Sequence, residues 1–156
     1  MKEVKKRSEC PISYCLDFFG DKWALLIIRD IALNDKYTFG DFLSSDERIA
    51  TNILTNRLKM LEAEGFIVKY PVPGKARVGY CLTEEGISLI PVVIEMSMWG
   101  AARNINGYRK ELGIELRKDK AKVIKQLTTK FTKKYKSVMK SLEQTEDSNN
   151  GTQKRD

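Results

Sequence analysis

The chain has 156 residues, enough for one domain and an appendage, and 42% of them are hydrophobic, as in ordinary globular proteins. It contains no histidine and an odd number of cysteines, three, which argues against a catalytic histidine, a histidine-ligated zinc ion and a disulfide framework. The net charge of +7 favours an anionic partner.

The surplus of positive charge lies in the last third of the chain. Residues 1–104 carry 14 basic and 14 acidic side chains, whereas residues 105–156 carry 14 basic and 7 acidic. Within the neutral part, residues 48–77 are locally basic, with 6 basic and 2 acidic side chains, as expected of a face that docks on nucleic acid. No run of about 18 apolar residues is present, so we expect no membrane span and a cytoplasmic protein.

The first half of the chain predicts a basic arm followed by three helices. Residues 1–9 are the arm. Pro11 suits the first turn of a helix that ends at Gly20, and Asp21 is expected to cap the next one, WALLIIRDIAL, which is apolar on nearly all sides and therefore predicted to be buried. Thr38 and Asp41 have the spacing of a capping box for a short helix, FGDFLSS.

Residues 50–64 are the most informative helix. Leu54, Leu58 and Leu61 recur at helical spacing and predict a buried stripe, and Gly65 is expected to end the helix. At 100° per residue, polar side chains occupy the opposite face: Asn52, Thr55, Asn56 and Lys59.

Two strand-like runs follow, FIVKYPV and ARVGYCLT, with the turn Pro73-Gly74-Lys75 between them, and they predict a β-hairpin. Thr83 is expected to cap a helix through ISLIPVVIEMSMWGAA, in which Pro91 should disturb the hydrogen bonding. Two helices, then an amphipathic helix and a hairpin, are the order of a winged helix. We therefore predict an α+β, mostly helical fold: a winged helix-turn-helix domain (residues 10–104) with a two-stranded wing and a C-terminal helical extension.

The sequence resembles the HxlR-type winged-helix regulators, relatives of the MarR group, over about two thirds of its length. The resemblance is carried, in order along the chain, by Cys10-Pro11, Gly20-Asp21-Lys22-Trp23, Phe39-x-x-Phe42, Ile49, Leu54-x-x-Arg57-Leu58-x-x-Leu61-Glu62-x-x-Gly65, Arg77-Val78-x-Tyr80-x-Leu82-Thr83, Pro91 and Trp99-Gly100. It implies a homodimer that binds double-stranded operator DNA, with the first and last helices of the domain in the dimer interface. Two features depart from the family: Gly79, where another residue, often Glu, is usual, and a longer, more basic tail.

The candidate DNA-binding residues lie in and around the residue 50–64 helix and in the wing. Asparagine and threonine suit base edges, whereas lysine and arginine suit phosphates. Arg57 lies at the edge of the leucine stripe and either contacts a phosphate or pairs with a carboxylate such as Glu62 or Asp41, and the wing turn is alternatively a solvated loop. The full set is Arg48, Thr51, Asn52, Thr55, Asn56, Arg57, Lys59, Lys75 and Arg77.

Cys10 is a candidate redox sensor. It precedes Pro11 at a predicted helix N-terminus, where the partial positive charge stabilises a thiolate, and in several proteins of the resembling family a cysteine at this place is the sensing residue. The alternative is an unreactive cap residue. A Cys10–Cys15 disulfide is disfavoured because the two side chains point about 140° apart on a helix, so an intersubunit bridge is the better candidate. Cys15 and Cys81 are predicted to be buried, and Trp23 and Trp99 to pack in the core or the dimer interface.

The tail divides into a helix and a disordered end. Residues 105–142 place apolar side chains at helical spacing between lysines, which predicts a basic amphipathic helix. This helix packs on the partner subunit, contacts DNA phosphates or lies on an acidic surface. We favour packing on the partner subunit, because the apolar stripe must be buried. Residues 143–156 lack apolar side chains and are predicted to be disordered.

The sequence therefore predicts a homodimeric, sequence-specific DNA-binding transcriptional regulator, a repressor, that responds to oxidants or electrophiles through Cys10. The alternative is a winged-helix module that binds another protein. We expect no enzyme, because the chain lacks paired carboxylates at useful spacing and a Gly-rich phosphate loop. We also expect no cofactor and no metal, and the sequence identifies no small-molecule inducer.

Overall fold

The computed structural model describes residues 8–103 and 110–152, and among these the side chains of all but residues 110–112 and 146–152. The described part holds seven helices and one two-stranded sheet. In chain order these are α1 (Pro11–Phe19), α2 (Ala24–Asn34), α3 (Phe39–Leu43), α4 (Thr51–Ala63), β1 (Ile67–Pro71), β2 (Val78–Leu82), α5 (Glu84–Ser88), α6 (Ile90–Ala101) and α7 (Lys110–Thr152). The predicted fold is confirmed, although most of the predicted arm lies outside the described residues.

The first two helices begin and end as the sequence predicts. Pro11 opens α1, and Gly20 follows its last residue. One carboxylate oxygen of Asp21 accepts hydrogen bonds from the backbone N–H groups of Trp23 at 2.7 Å and Ala24 at 3.1 Å, so Asp21 caps the start of α2. Helix α2 is surrounded by the domain, and six of its eleven residues are buried.

The ends of α3 and α4 are also set by local sequence. The Thr38 side chain accepts a hydrogen bond from the Asp41 N–H while the Asp41 carboxylate accepts one from the Thr38 N–H, which confirms the capping box. At the end of α4, Gly65 has a φ of +78°, and the Phe66 N–H donates to the carbonyl of Leu61 at 2.8 Å. This is a Schellman ending, which requires the left-handed conformation that glycine adopts without strain.

The hairpin is antiparallel, and Val68 and Tyr70 of β1 lie opposite Cys81 and Gly79 of β2. After it, the Thr83 side chain caps α5 by accepting from the Gly86 N–H at 3.2 Å. A break at Leu89 separates α5 from α6, because Pro91 in the first turn of α6 cannot donate the hydrogen bond of a continuous helix. The predicted disturbance at Pro91 is confirmed.

Both faces of β2 are buried, which the sequence does not predict. On one face, Tyr80 and Leu82 point into the helical core, where the Tyr80 ring lies 6.0 Å from the ring of Phe42. On the other face, Gly79 and Cys81 are buried as well. Because α7 contacts β2, this second face lies beneath α7.

Helix α7 confirms the predicted C-terminal helix but corrects its place. Its apolar stripe packs on α5, α6 and β2 of the same chain, and Leu116, Val123 and Phe131 belong to the domain core. The prediction that this stripe packs on the partner subunit is therefore wrong. A change in backbone direction at Asp119 divides α7, and the Asp119 carboxylate restarts the helix by accepting from the Lys122 N–H at 2.9 Å.

The predicted disorder of residues 143–156 is corrected for residues 143–152, since α7 continues through Thr152, and residues 153–156 lie outside the described residues. Adding residues to an existing helix avoids the unfavourable step of starting one, so the helix continues past Glu143 and Gln144 into residues of lower helix propensity. In the part of the chain that the structure covers, no helix is both long and apolar enough to cross a membrane.

Candidate DNA-binding surface

Helix α4 separates its residues by polarity as the sequence predicts. Leu54, Leu58 and Leu61 are almost fully buried in the core. The solvent side carries five polar side chains, all exposed except the half-buried Thr55: Thr51, Asn52, Thr55, Asn56 and Lys59. The Thr55 hydroxyl donates to the Thr51 carbonyl at 2.9 Å. We call these five residues the α4 polar face.

A charged network fixes the turn that leads from α3 into α4. Arg29 of α2 donates to both carboxylate oxygens of Glu47 and pairs with Asp30 at 2.7 Å. Asp30 is buried and also accepts hydrogen bonds from Ser45 and from Asn34. The network therefore ties α2 to residues 45–47, directly before α4.

The pKa values of this network follow from its contacts. Burial alone would lower the pKa of Arg29, but hydrogen bonds from its guanidinium to Glu47 and Asp30 outweigh burial and raise it. The hydrogen bond from Arg29 lowers the pKa of Glu47. Both groups therefore stay charged at neutral pH, and the turn before α4 is held by charge-assisted hydrogen bonds.

The wing turn, residues 72–77, extends beyond the hairpin and is closed by its own backbone. The Val72 N–H donates to the Arg77 carbonyl and the Lys75 N–H to the Val72 carbonyl, each at 3.1 Å, while Gly74 has a φ of +70°. Lys75 and Arg77 are exposed. Arg77 is close enough to Asp41 of α3 to contribute to the lowered pKa of that carboxyl. The base of the turn thus lies beside the start of α3.

A family model, HxlR-like helix-turn-helix, matches residues 18–107, which is more than half of the chain. The chain belongs to the HxlR-like helix-turn-helix family. The transcriptional regulator YybR of Bacillus subtilis strain 168 is 34% identical to it over 105 residues, covering 64% of this chain and 82% of YybR. The family consists of DNA-binding regulators of transcription. Helix α7 lies beyond the residues that the family model matches.

Two solved structures are also similar. PA1607, a candidate transcription factor, is 33% identical with a TM-score of 0.56, covering 68% of this chain and 71% of PA1607. The redox regulator HypR in its reduced form is 30% identical with a TM-score of 0.52, covering 62% of this chain and 96% of HypR. HypR has also been solved in its oxidised form.

In this HxlR-like domain, Arg57 has a partner that the sequence did not identify. Its guanidinium lies 3.4 Å from the Asp21 carboxylate. Neither predicted carboxylate is available, because Glu62 pairs with Lys69 at 2.6 Å and Asp41 completes the capping box. Arg57 therefore connects α4 to the cap of α2.

Arg48 stands apart from the α4 polar face. It is exposed in the loop before α4, with a φ of +53° and its N–H donating to the Ser45 carbonyl at 2.9 Å. The structure thus places Arg48 at the entrance to α4 and the two wing residues on a separate projection.

The exposure of the three cysteines differs from the prediction at one position. Cys10 is exposed at the N-cap of α1, and Cys81 is fully buried, with burial raising its pKa to about 11. Cys15 is exposed, so its predicted burial is wrong: it lies on the side of α1 that turns away from the core. Trp23 packs partly on the core, whereas Trp99 is 64% exposed.

The structure also shows two features that the sequence analysis missed. The ammonium group of Lys134 lies 4.8 Å from the ring centre of Tyr37 and 5.8 Å from that of Tyr70. Nothing in the sequence links these three residues. The pairing of Asp30, by contrast, could have been predicted, because a carboxylate in a buried apolar helix needs hydrogen-bond or ion-pair partners. Among the described residues, no group of three acidic or cysteine side chains is placed to hold a metal ion.

Proposed function

We propose that this protein is a homodimeric repressor that reads a dyad-symmetric operator with α4 in the major groove. The observation that carries the proposal is the α4 polar face, exposed by a buried leucine stripe and followed by a projecting basic hairpin turn. Each subunit would contact one half-site, with the half-sites about one helical turn apart. Occupation of the operator would then block access to the promoter.

The residues of the proposed DNA-binding surface fall into two groups, those that would contact bases and those that would contact the phosphates of the DNA backbone. Asn52 and Asn56 present amides, which pair with the adenine edge through two hydrogen bonds, and Thr51 and Thr55 suit single base contacts. The cationic side chains would contact phosphates: Arg48, Arg57, Lys59, Lys75 and Arg77. A guanidinium has five N–H groups, so the ion pair of Arg57 with Asp21 leaves donors for a phosphate.

Two exposed apolar helix faces support the dimer. On α6, Val92, Met96 and Trp99 recur at helical spacing and are exposed, and on α1 the same holds for Ile12, which is 70% exposed, and Leu16. Large exposed apolar patches on soluble domains mark interaction surfaces. These are the first helix and the last helix of the domain, the ones that the family resemblance places in the dimer interface.

Replacement of the two asparagines tests the reading role of α4. In a gel shift on a duplex that the wild type selects from a randomised library, Asn52→Ala and Asn56→Ala should each weaken binding by about 1–3 kcal/mol, or roughly 5- to 150-fold, while binding to random duplex stays unchanged. Ser88→Ala, an exposed change on α5, is the control and should bind as the wild type does.

The same experiment separates the proposal from a winged-helix module that binds another protein. If both asparagine variants keep wild-type affinity for the selected duplex, or if the wild type prefers no sequence over random DNA, the proposal of operator reading is wrong.

Oxidation tests both the dimer and the role of Cys10, which is exposed at the start of α1. Diamide takes two hydrogens from two thiols and joins them as a disulfide. We expect the reduced protein to sediment as a dimer, and diamide to produce a covalent dimer on a non-reducing gel and to change operator binding. Cys10→Ser should bind DNA when reduced and lose the response to diamide.

Cys15→Ser is the matched control, since Cys15 is exposed on the same helix. Retention of the diamide response by Cys10→Ser, or a monomeric mass for the reduced wild type, would contradict the respective part of the proposal. Support for redox control comes from the similarity to HypR, a redox regulator.

A further inference from the structure

Helix α7 lies outside the matched family segment and carries the positive charge of the chain. Between residues 120 and 142 it contains eight lysines and neither aspartate nor glutamate. Residues 1–104 are neutral overall, with 14 basic and 14 acidic side chains. The net positive charge that attracts DNA at long range is therefore concentrated in this helix, in addition to the locally basic residues 48–77.

Three of these lysines anchor the helix on the domain. Lys120 pairs with Glu95 of α6, and Lys130 pairs with Asp35 at 2.5 Å. Lys134 lies over the rings of Tyr37 and Tyr70. All three reach the domain from the side of α7 that carries the buried stripe.

The other five lysines form a separate row on the solvent side. None of them has a carboxylate partner among the side chains that the structure describes. At 100° per residue they fall within about 80° of one another, opposite the buried stripe, and they extend over about 27 Å. We call this row the lysine row: Lys122, Lys125, Lys133, Lys136 and Lys140.

The direction of α7 brings one end of the lysine row to the wing. Thr128 and Thr132 border the same groove as Glu84 and Pro91, which follow the end of β2. Lys134 then lies on Tyr70, opposite Gly79 at the start of β2. These contacts indicate that α7 advances from the end of β2 toward its start, so that residues after Lys134, Lys136 and Lys140 among them, continue in the direction of the wing turn.

We propose that Lys136 and Lys140 bind backbone phosphates of the duplex outside the segment contacted by the wing. This inference rests on the proposed function, because it needs the wing turn to face DNA. Lysine contacts to phosphate add affinity without sequence preference and make binding depend on salt. The C-terminal helix is then a third DNA-binding element, after α4 and the wing.

Two pairs of substitutions test the inference. The variant Lys136→Gln with Lys140→Gln removes two charges at the wing end, and Lys122→Gln with Lys125→Gln removes two at the far end of the same row. Glutamine keeps the helix propensity, and all four side chains are exposed, so both variants should melt as the wild type does. Binding is measured by fluorescence anisotropy over a range of salt concentrations on a duplex of about 40 base pairs that the wild type selects.

We expect the slope of log K against log salt to fall by about 0.9 per lost phosphate contact for the wing-end pair, with roughly tenfold weaker binding, and to stay nearly unchanged for the far-end pair. A duplex trimmed to the segment under α4 and the wing should abolish the difference. Equal slopes for both variants, whether lowered together or not at all, overturn the inference.

The Asn52 and Asn56 variants on the same duplex keep this result separate from the proposed function. If they bind selected DNA weakly while both lysine pairs match the wild type, operator reading stands and only the role of α7 fails. If the wild type binds no duplex, the proposed function itself fails, and the role of α7 fails with it.

Discussion

Gly79 is the residue at which the wing and α7 meet. A Cβ atom built there would lie 2.6 Å from the ring carbon Cζ of Tyr70 and 2.9 Å from its hydroxyl oxygen. The Tyr70 ring occupies this space and in turn supports the ammonium group of Lys134. Gly79 and the tail, the two features that the sequence analysis sets apart from the HxlR pattern, are therefore linked through Tyr70.

Substitution of Gly79 by alanine should loosen α7. The added methyl group forces the Tyr70 ring to move, and overpacking of this kind costs about 1–3 kcal/mol. Urea unfolding should show that loss, and in a Cys10→Ser, Cys15→Ser background the Cys81 thiol should react faster with a maleimide. Gly40→Ala, where nothing lies within 4 Å of the new Cβ, is the control and should be no less stable than the wild type. Equal stability of the two variants would show that the Tyr70 ring accommodates a methyl group at residue 79 without loss of packing.

At the scale of elements, α3 and the turn after it depend on ionised carboxylates. Burial alone would raise the pKa of Asp41, but hydrogen bonds from the Thr38 side chain and from the N–H groups of Thr38 and Tyr37 outweigh burial and lower it. The pKa of Glu47 is lowered by its hydrogen bond from Arg29. A carboxyl group with a lowered pKa in the folded state stabilises the fold above its unfolded pKa and loses that contribution as the pH falls through its folded pKa.

Acid should therefore weaken this part of the domain. We expect the free energy of unfolding to fall as the pH drops below about 4, because the carboxyl groups of the unfolded chain then bind protons that the folded carboxylates, with their lowered pKa, do not yet bind. Asp41→Asn, which has no carboxylate to titrate at this cap, should show a smaller decrease from pH 5 to pH 3 in urea titrations followed by circular dichroism. The same pH dependence in the variant and the wild type would assign acid sensitivity to other groups.

Local sequence signals predict the elements well because their causes are local. The Thr38–Asp41 capping box, the Gly65 ending and the break at Pro91 are each fixed by residues within one turn of the chain. The buried side of α4 follows equally from the spacing of its leucines.

Contacts between distant elements were not predictable in the same way. The apolar stripe of α7 requires a cover, but its period does not say whether that cover is the same chain or a second copy. The pairing of Arg57 with Asp21 and the exposure of Cys15 likewise depend on how helices are placed, which no local pattern records.

At the scale of the whole molecule, the described residues form a winged-helix domain and a basic helix, α7, that packs on the face of the hairpin away from the core. The domain contains both candidate reading elements, α4 and the wing turn. Helix α7 contributes Phe131 to the core and covers the second face of β2. Stability and charge are thus supplied by a segment that lies outside the matched family residues.

The position of this segment at the end of the described chain has a consequence for synthesis. A ribosome releases residues in order, so the hairpin emerges well before the helix that covers it. Until residues around Phe131 have left the exit tunnel, the β2 face with Gly79 and Cys81 is not covered by α7. A product truncated before α7 would leave that face exposed to solvent. Chains with such an exposed face are prone to aggregation and degradation, so the hairpin depends on a segment that the ribosome releases later.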